Sequence, residues 1–89
     1  MEAGRSLEAE REYREAIQLA PDDYLHFYNY ACFLAKERRD EEMYRNLKRA
    51  LELAPNMNAR AATDPDFEPY RGADRFQEMV AFRRKARDN

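Results

Sequence analysis

The sequence predicts an all-α chain of antiparallel helix-turn-helix repeats, with about four main helices and a short extra turn. Three observations predict it. Ala16, Leu19, Ala20 and Pro21 return 34 residues later as Ala50, Leu53, Ala54 and Pro55; Tyr13 is matched by Leu47, Ile17 by Leu51 and Arg11 by Arg45. A fixed period in this range marks a stacked helical repeat, in which each unit buries its apolar face only against its neighbours. Apolar residues also recur at about 3.6-residue spacing through both matched segments. Only two glycines and four prolines occur in 89 residues, so long structureless loops have little place. A fold of this kind puts function on a surface rather than in a pocket, which favours a binding module over an enzyme.

The first helix is expected over residues 7–20, with Leu7, Ala9, Tyr13, Ala16, Ile17 and Ala20 on its inner face. Ser6 reads as its N-cap, matching Asp40 in the second copy, and Glu8 and Glu10 suit the positive end of the helix dipole. Pro21 ends it, because the residue before a proline avoids the α conformation. Asp22 or Asp23 then caps a helix over 23–37. That helix carries Tyr24, Phe27, Tyr28, Tyr30 and Phe33 beside Leu25, Ala31, Leu34 and Ala35, apolar almost all round, and should be the most enclosed element. Residues 36–39 are a polar break. Asp40 opens a third helix, 41–54, with Met43, Tyr44, Leu47, Ala50, Leu51 and Ala54 inward, closed by Pro55 as Pro21 closed the first.

Short links between these helices imply antiparallel neighbours. Residues 56–63 have room for one or two turns through Ala59, Ala61 and Ala62. From Thr63 to Gly72 an ordered loop is expected, with Pro65 and Pro69 interrupting any helix and Phe67 and Tyr70 plugging the end of the core. The last helix, about 74–87, directs Phe76, Met79, Val80 and Phe82 inward and ends in the basic tip 83–87.

Composition narrows the function. Charged residues make up 38% of the chain but are interleaved with apolar ones, as on helix exteriors. The formal net charge of −2 gives no general attraction to nucleic acid, and the cations of the basic tip neutralise few phosphates. No apolar run suits a membrane span or a secretion signal, so the expected location is the cytoplasm. Cys32 stands alone, which excludes an intrachain disulfide and a cysteine-based metal cluster.

The chain holds one serine, one threonine, one cysteine and one histidine. Ser6 reads as a cap, Thr63 as a loop residue, His26 as a partly exposed helix residue, and Cys32 as a small, partly buried residue rather than a reactive thiol. Asp64, Asp66 and Glu68 alternate like calcium ligands but lack the glycine and bidentate glutamate of that loop, so turn and cap roles are expected. No catalytic residue, cofactor or metal follows from this inventory.

The residues resemble the tetratricopeptide repeat, a helix-turn-helix unit of 34 residues closed by a proline. From Asp23 to Pro55 one complete unit fits: Phe27 at the first aromatic position, Tyr30 and Ala31 at the large-then-small pair, Leu34 at the next large position, then Met43, Leu47, Ala50 and Pro55. Arg38 stands where the turn usually carries glycine. Upstream, Gly4 falls at the turn glycine, Ala9, Tyr13 and Ala16 in the second helix, and Pro21 at the close. The tail from Thr63 to Val80 resembles the closing segment of bacterial proteins of this type, with Ala73-Asp74 where Asp-Pro is usual.

The resemblance implies a single domain made of a half repeat (4–21), a complete repeat (23–55) and a capping segment (56–89). The half repeat implies either the end of a longer array or a small protein with half a unit. An apolar flank is then expected on helix 7–20, through which the chain docks or forms a homodimer. The resemblance further implies a non-catalytic scaffold that binds a partner peptide or helix on its concave face, at Leu25, Tyr28, Asn29, Cys32 and Lys36. Asn29 falls where related domains bond a peptide backbone or terminal carboxylate. Tyr24 and Tyr28 either belong to that surface or merely cover neighbouring helices. The alternative role is a structural cap or homo-oligomerisation element of a larger array.

Overall fold

The computed structural model describes residues 2–88, and the surroundings of side chains 6–81. Its elements are α1 (Glu2–Leu19), α2 (Tyr24–Lys36), α3 (Asp40–Leu53), α4 (Asn58–Thr63) and α5 (Asp74–Asp88). Short 3₁₀ segments occupy Pro55–Met57 and Pro65–Tyr70, and no strand occurs among the described residues. The fold is all-α and repeat-like.

The α2–α3 hairpin is the centre of the molecule. Asp23 caps α2 by accepting a bond from the Leu25 amide. The helix ends in a Schellman turn: the Arg38 amide bonds the Ala35 carbonyl and the Arg39 amide bonds the Leu34 carbonyl. Arg38 has φ 58°, the left-handed conformation that glycine adopts without steric cost. This is the turn position at which the repeat pattern usually has glycine. The Arg38 guanidinium lies 5.2 Å from the centre of the Tyr70 ring, a contact glycine would forfeit. Arg38→Ala and Arg38→Gly both lose that stacking, and only glycine relieves the backbone. The glycine variant is therefore expected to be more stable than the alanine variant by about 1 kcal/mol, read from urea midpoints. Equal midpoints would contradict the left-handed turn.

Leu34, Met43, Leu47, Ala31 and Ala50 are fully buried where α2 and α3 face each other. Their antiparallel course brings Arg49, late in α3, over Phe27, early in α2. The matched positions in α1 are less covered: Ala9, Tyr13, Ala16 and Ile17 are half-buried, whereas Met43, Leu47, Ala50 and Leu51 are buried. The difference follows from packing. Among the described residues, α1 packs mainly on α2, whereas α3 lies between α2 and the tail.

Three expectations need correction. The first helix begins at Glu2, so Ser6 lies inside it instead of capping it, and Gly4 is helical rather than in a turn. The Ser6 hydroxyl instead donates a long bond, 3.4 Å, to Glu37. Asp40 is likewise inside α3: Arg39 holds the N-cap position without a side-chain bond, and the Asp40 carboxylate accepts the Tyr70 hydroxyl. Lastly, the exposed apolar flank expected on helix 7–20 is present only in part among the described residues. Leu7 and Leu19 are exposed, but they lie about 120° apart around the helix. Exposed Arg11 and Glu15 fall between them.

The tail folds back onto the hairpin. Pro55 starts a 3₁₀ turn rather than leaving the chain free, and α4 supplies the short helix expected over 56–63. The buried Asn58 donates to the Val80 carbonyl at 2.9 Å, joining α4 to α5. Pro65 and Pro69 sit within a 3₁₀ segment, which tolerates them, and this segment buries Phe67 and Tyr70 as plugs. Arg75 makes a two-pronged ion pair with Glu41, at 2.6 and 3.1 Å, fixing the start of α5 to α3. Phe76 is buried, and Met79 and Val80 pack partly on the core. The side chain of Phe82 and those of the basic tip 83–87 lie outside the described residues.

Candidate functional site

The α2 positions 28, 32 and 36 recur at four-residue spacing and share one face of that helix, with 29 beside them, three residues before 32. The 3₁₀ segment crosses this face. Phe67 is the anchor, completely buried, with its ring edge-on to Tyr28 at 5.7 Å. Behind it the Tyr28 hydroxyl donates to Asp64 at 2.6 Å. Asp64 also caps the segment by accepting the Asp66 amide at 3.0 Å. These contacts enclose an open groove of about 290 Å³.

Tyr28, Asn29, Cys32 and Lys36 line its α2 wall. Arg60, Asp64 and Asp66 form the opposite wall, and Tyr13 and Phe33 close one side with rings 5.4 Å apart. The Lys36 ammonium lies 3.6 Å from Asp66. Four of the five residues expected at the site therefore meet. Leu25 does not line the groove; it stands exposed nearer the start of α2. Tyr28 is a wall rather than a free contact, since only 3% of it is exposed. Tyr24 is partly buried against the core.

The electrostatics hold the thiol and the phenol of the groove in their neutral forms. Burial pushes the Cys32 thiol up to about 12, and the negative charges of Asp64 and Asp66 add to the effect. At neutral pH it is a protonated, weakly nucleophilic group. The Tyr28 hydroxyl is also shifted upward, first by burial and then by its bond to Asp64. Donor atoms of Cys32, Asp64 and Asp66 lie within 4.8 Å of one another, so the acidic residues that resemble calcium ligands in sequence gather around a thiol instead. Glu68 takes no part and is exposed.

Sequence reasoning missed Tyr13, Phe33, Arg60, Asp64 and Asp66 as groove residues. The alternation of Asp64 and Asp66 around Pro65 was the available signal, and it pointed to turn chemistry, which Asp64 does perform. Among the described residues no helix is long and apolar enough to cross a membrane. No family model, curated protein or solved structure matches the chain.

Proposed function

We propose that the chain is a non-catalytic protein-interaction module of the tetratricopeptide type, which takes a peptide or helical segment of a partner protein along α2. The observation that carries this reading is the meeting of Tyr28, Asn29, Cys32 and Lys36 in one open groove. The exposed Asn29 amide offers both donor and acceptor to a partner backbone, and the aromatic side of the groove offers apolar area. The thiol, held protonated by burial and by the two carboxylates beside it, favours binding over chemistry.

A second reading, a structural cap or homo-oligomerisation element working through α1, draws on the half-burial of Ala9, Tyr13, Ala16 and Ile17. Substitutions separate the two. Asn29→Ala with Asp66→Ala removes one polar group from each wall of the groove and is expected to abolish retention of a partner in a pull-down while leaving the sedimentation behaviour unchanged. Leu7→Ser with Leu19→Ser is expected to leave capture intact. If the α1 pair rather than the groove pair abolished retention, the groove reading would fail.

A further inference from the structure

Helix α1 carries a row of exposed side chains that is complementary to itself when turned end for end. We infer that a second copy of this chain docks there, α1 against α1, antiparallel and related by a two-fold axis; this deepens the reading of α1 as a homo-oligomerisation element and rests on it. The row is Leu7, Arg11, Glu15 and Leu19, each four residues after the last, which makes one continuous ridge on a helix. Leu7 and Leu19, at 67% and 87%, are the most exposed large hydrophobic residues among those described. Arg11 and Glu15 are exposed between them. Among the described residues neither is held by an opposite charge, whereas neighbouring Arg14 is held by Glu10 at 3.0 Å. Beside the ridge lies a shallow hollow of about 430 Å³, lined by Leu7, Glu10, Arg11, Arg14, Glu15 and Gln18. Helices pack by seating the ridge of one in such a hollow of the other.

Charge order selects the antiparallel pairing. In one direction the ridge runs apolar, basic, acidic, apolar; in the other it runs apolar, acidic, basic, apolar. An antiparallel copy centred on Tyr13 therefore sets Leu7 opposite Leu19 and Arg11 opposite Glu15, and the two-fold axis repeats both contacts. Glu8 then faces Gln18 and Glu12 faces Arg14, so no like charges meet. A parallel copy in register would set Arg11 on Arg11 and Glu15 on Glu15. The contact uses the same patch of both copies, so it closes as a dimer and does not propagate into a filament. Two leucine contacts and two exposed ion pairs make a small interface of the weak, transient class. Symmetry doubles every contact, so reversing one charge creates two repulsions.

Sedimentation equilibrium of the intact chain tests this. The wild type is expected to be a reversible dimer with a Kd of about 100 μM. Arg11→Glu and Glu15→Arg are each expected to weaken self-association by about tenfold or more. An equimolar mixture of the two variants should regain it to within about threefold, because each then offers the charge that the other lacks. Helical circular dichroism equal to that of the wild type establishes that both variants fold. A mixture that fails to associate, or single variants that dimerise like the wild type, would overturn the antiparallel pairing. If Leu7→Ser with Leu19→Ser still abolished association in that case, α1 would remain an oligomerisation element in another register. A wild type that stays monomeric at about 1 mM would sink both this inference and the α1 reading on which it rests.

Discussion

Phe67→Ala is expected to cost about 3–4 kcal/mol and to open the groove. The ring is fully buried between Tyr28 and Phe76, with centroids 5.7 Å away on each side. It is also the deepest anchor of a 3₁₀ segment, whose own hydrogen bonds are geometrically poorer than those of an α-helix. Removing it leaves a cavity between α2 and α5 that the proline-braced segment is poorly able to fill. A domain of this size has roughly 5–15 kcal/mol of total stability, so the loss is a large fraction. Urea unfolding followed by helical circular dichroism measures it. A second readout follows from the site. With Asp64 and Asp66 released, the Cys32 thiol loses the cover and the negative neighbours that suppress its ionisation. Its modification by a disulfide reagent at neutral pH should then accelerate. A cost below about 1 kcal/mol with an unchanged thiol rate would mean that the segment is held by something other than this ring.

The next largest effect is expected at Glu10, which joins three helices. Its carboxylate accepts both terminal nitrogens of Arg39, at 2.9 and 2.7 Å, the Tyr30 hydroxyl at 2.6 Å and the Arg14 guanidinium at 3.0 Å. Arg39 reaches in turn to Glu42. The Glu10 side chain is only 13% exposed, which limits solvent screening. The Arg39 bonds, followed by that from Tyr30, hold its pKa at about 2 instead of the ordinary 4.5. Glu10→Gln keeps the shape but loses the charge, and is expected to cost about 2 kcal/mol at neutral pH.

The sign of the pH dependence follows from the lowered folded-state pKa. The contribution is present above about 4.5, the unfolded value, and fades as pH falls toward about 2. The gap in stability between wild type and Glu10→Gln should therefore close over that window, as judged by urea midpoints. A gap that stayed constant down to pH 2 would show that the carboxylate charge is not what binds α1 to the hairpin.

Helix existence was legible in the sequence because it depends on local periodicity and punctuation. Pro21 and Pro55 closed α1 and α3 near their expected ends, and the aromatic run of α2 announced the most enclosed helix. Helix starts were harder. Ser6 has the side chain of a cap, but Glu2, Ala3 and Arg5 are compatible with helix, and the helix runs through it. Asp40 lies in the first turn, and its carboxylate accepts the hydroxyl of Tyr70, thirty residues on. That is a long-range contact no local pattern encodes.

The same distinction divides the groove. Asn29, Cys32 and Lys36 were singled out through the repeat resemblance alone, and they line one groove. Asp64 and Asp66 were not, because their place depends on how far the tail folds back and on Phe67 seating beside Tyr28. Leu25 lies outside the groove, exposed nearer the start of α2.

The groove exists only if the tail returns across α2, which aromatic NOESY on the intact chain detects. Cross-peaks are expected between the rings of Tyr28 and Phe67, 5.7 Å apart, and between those of Tyr44 and Tyr70, 5.8 Å apart. Strong Tyr13–Phe33 peaks without either of these would contradict it, leaving the helices packed but the groove without its second wall.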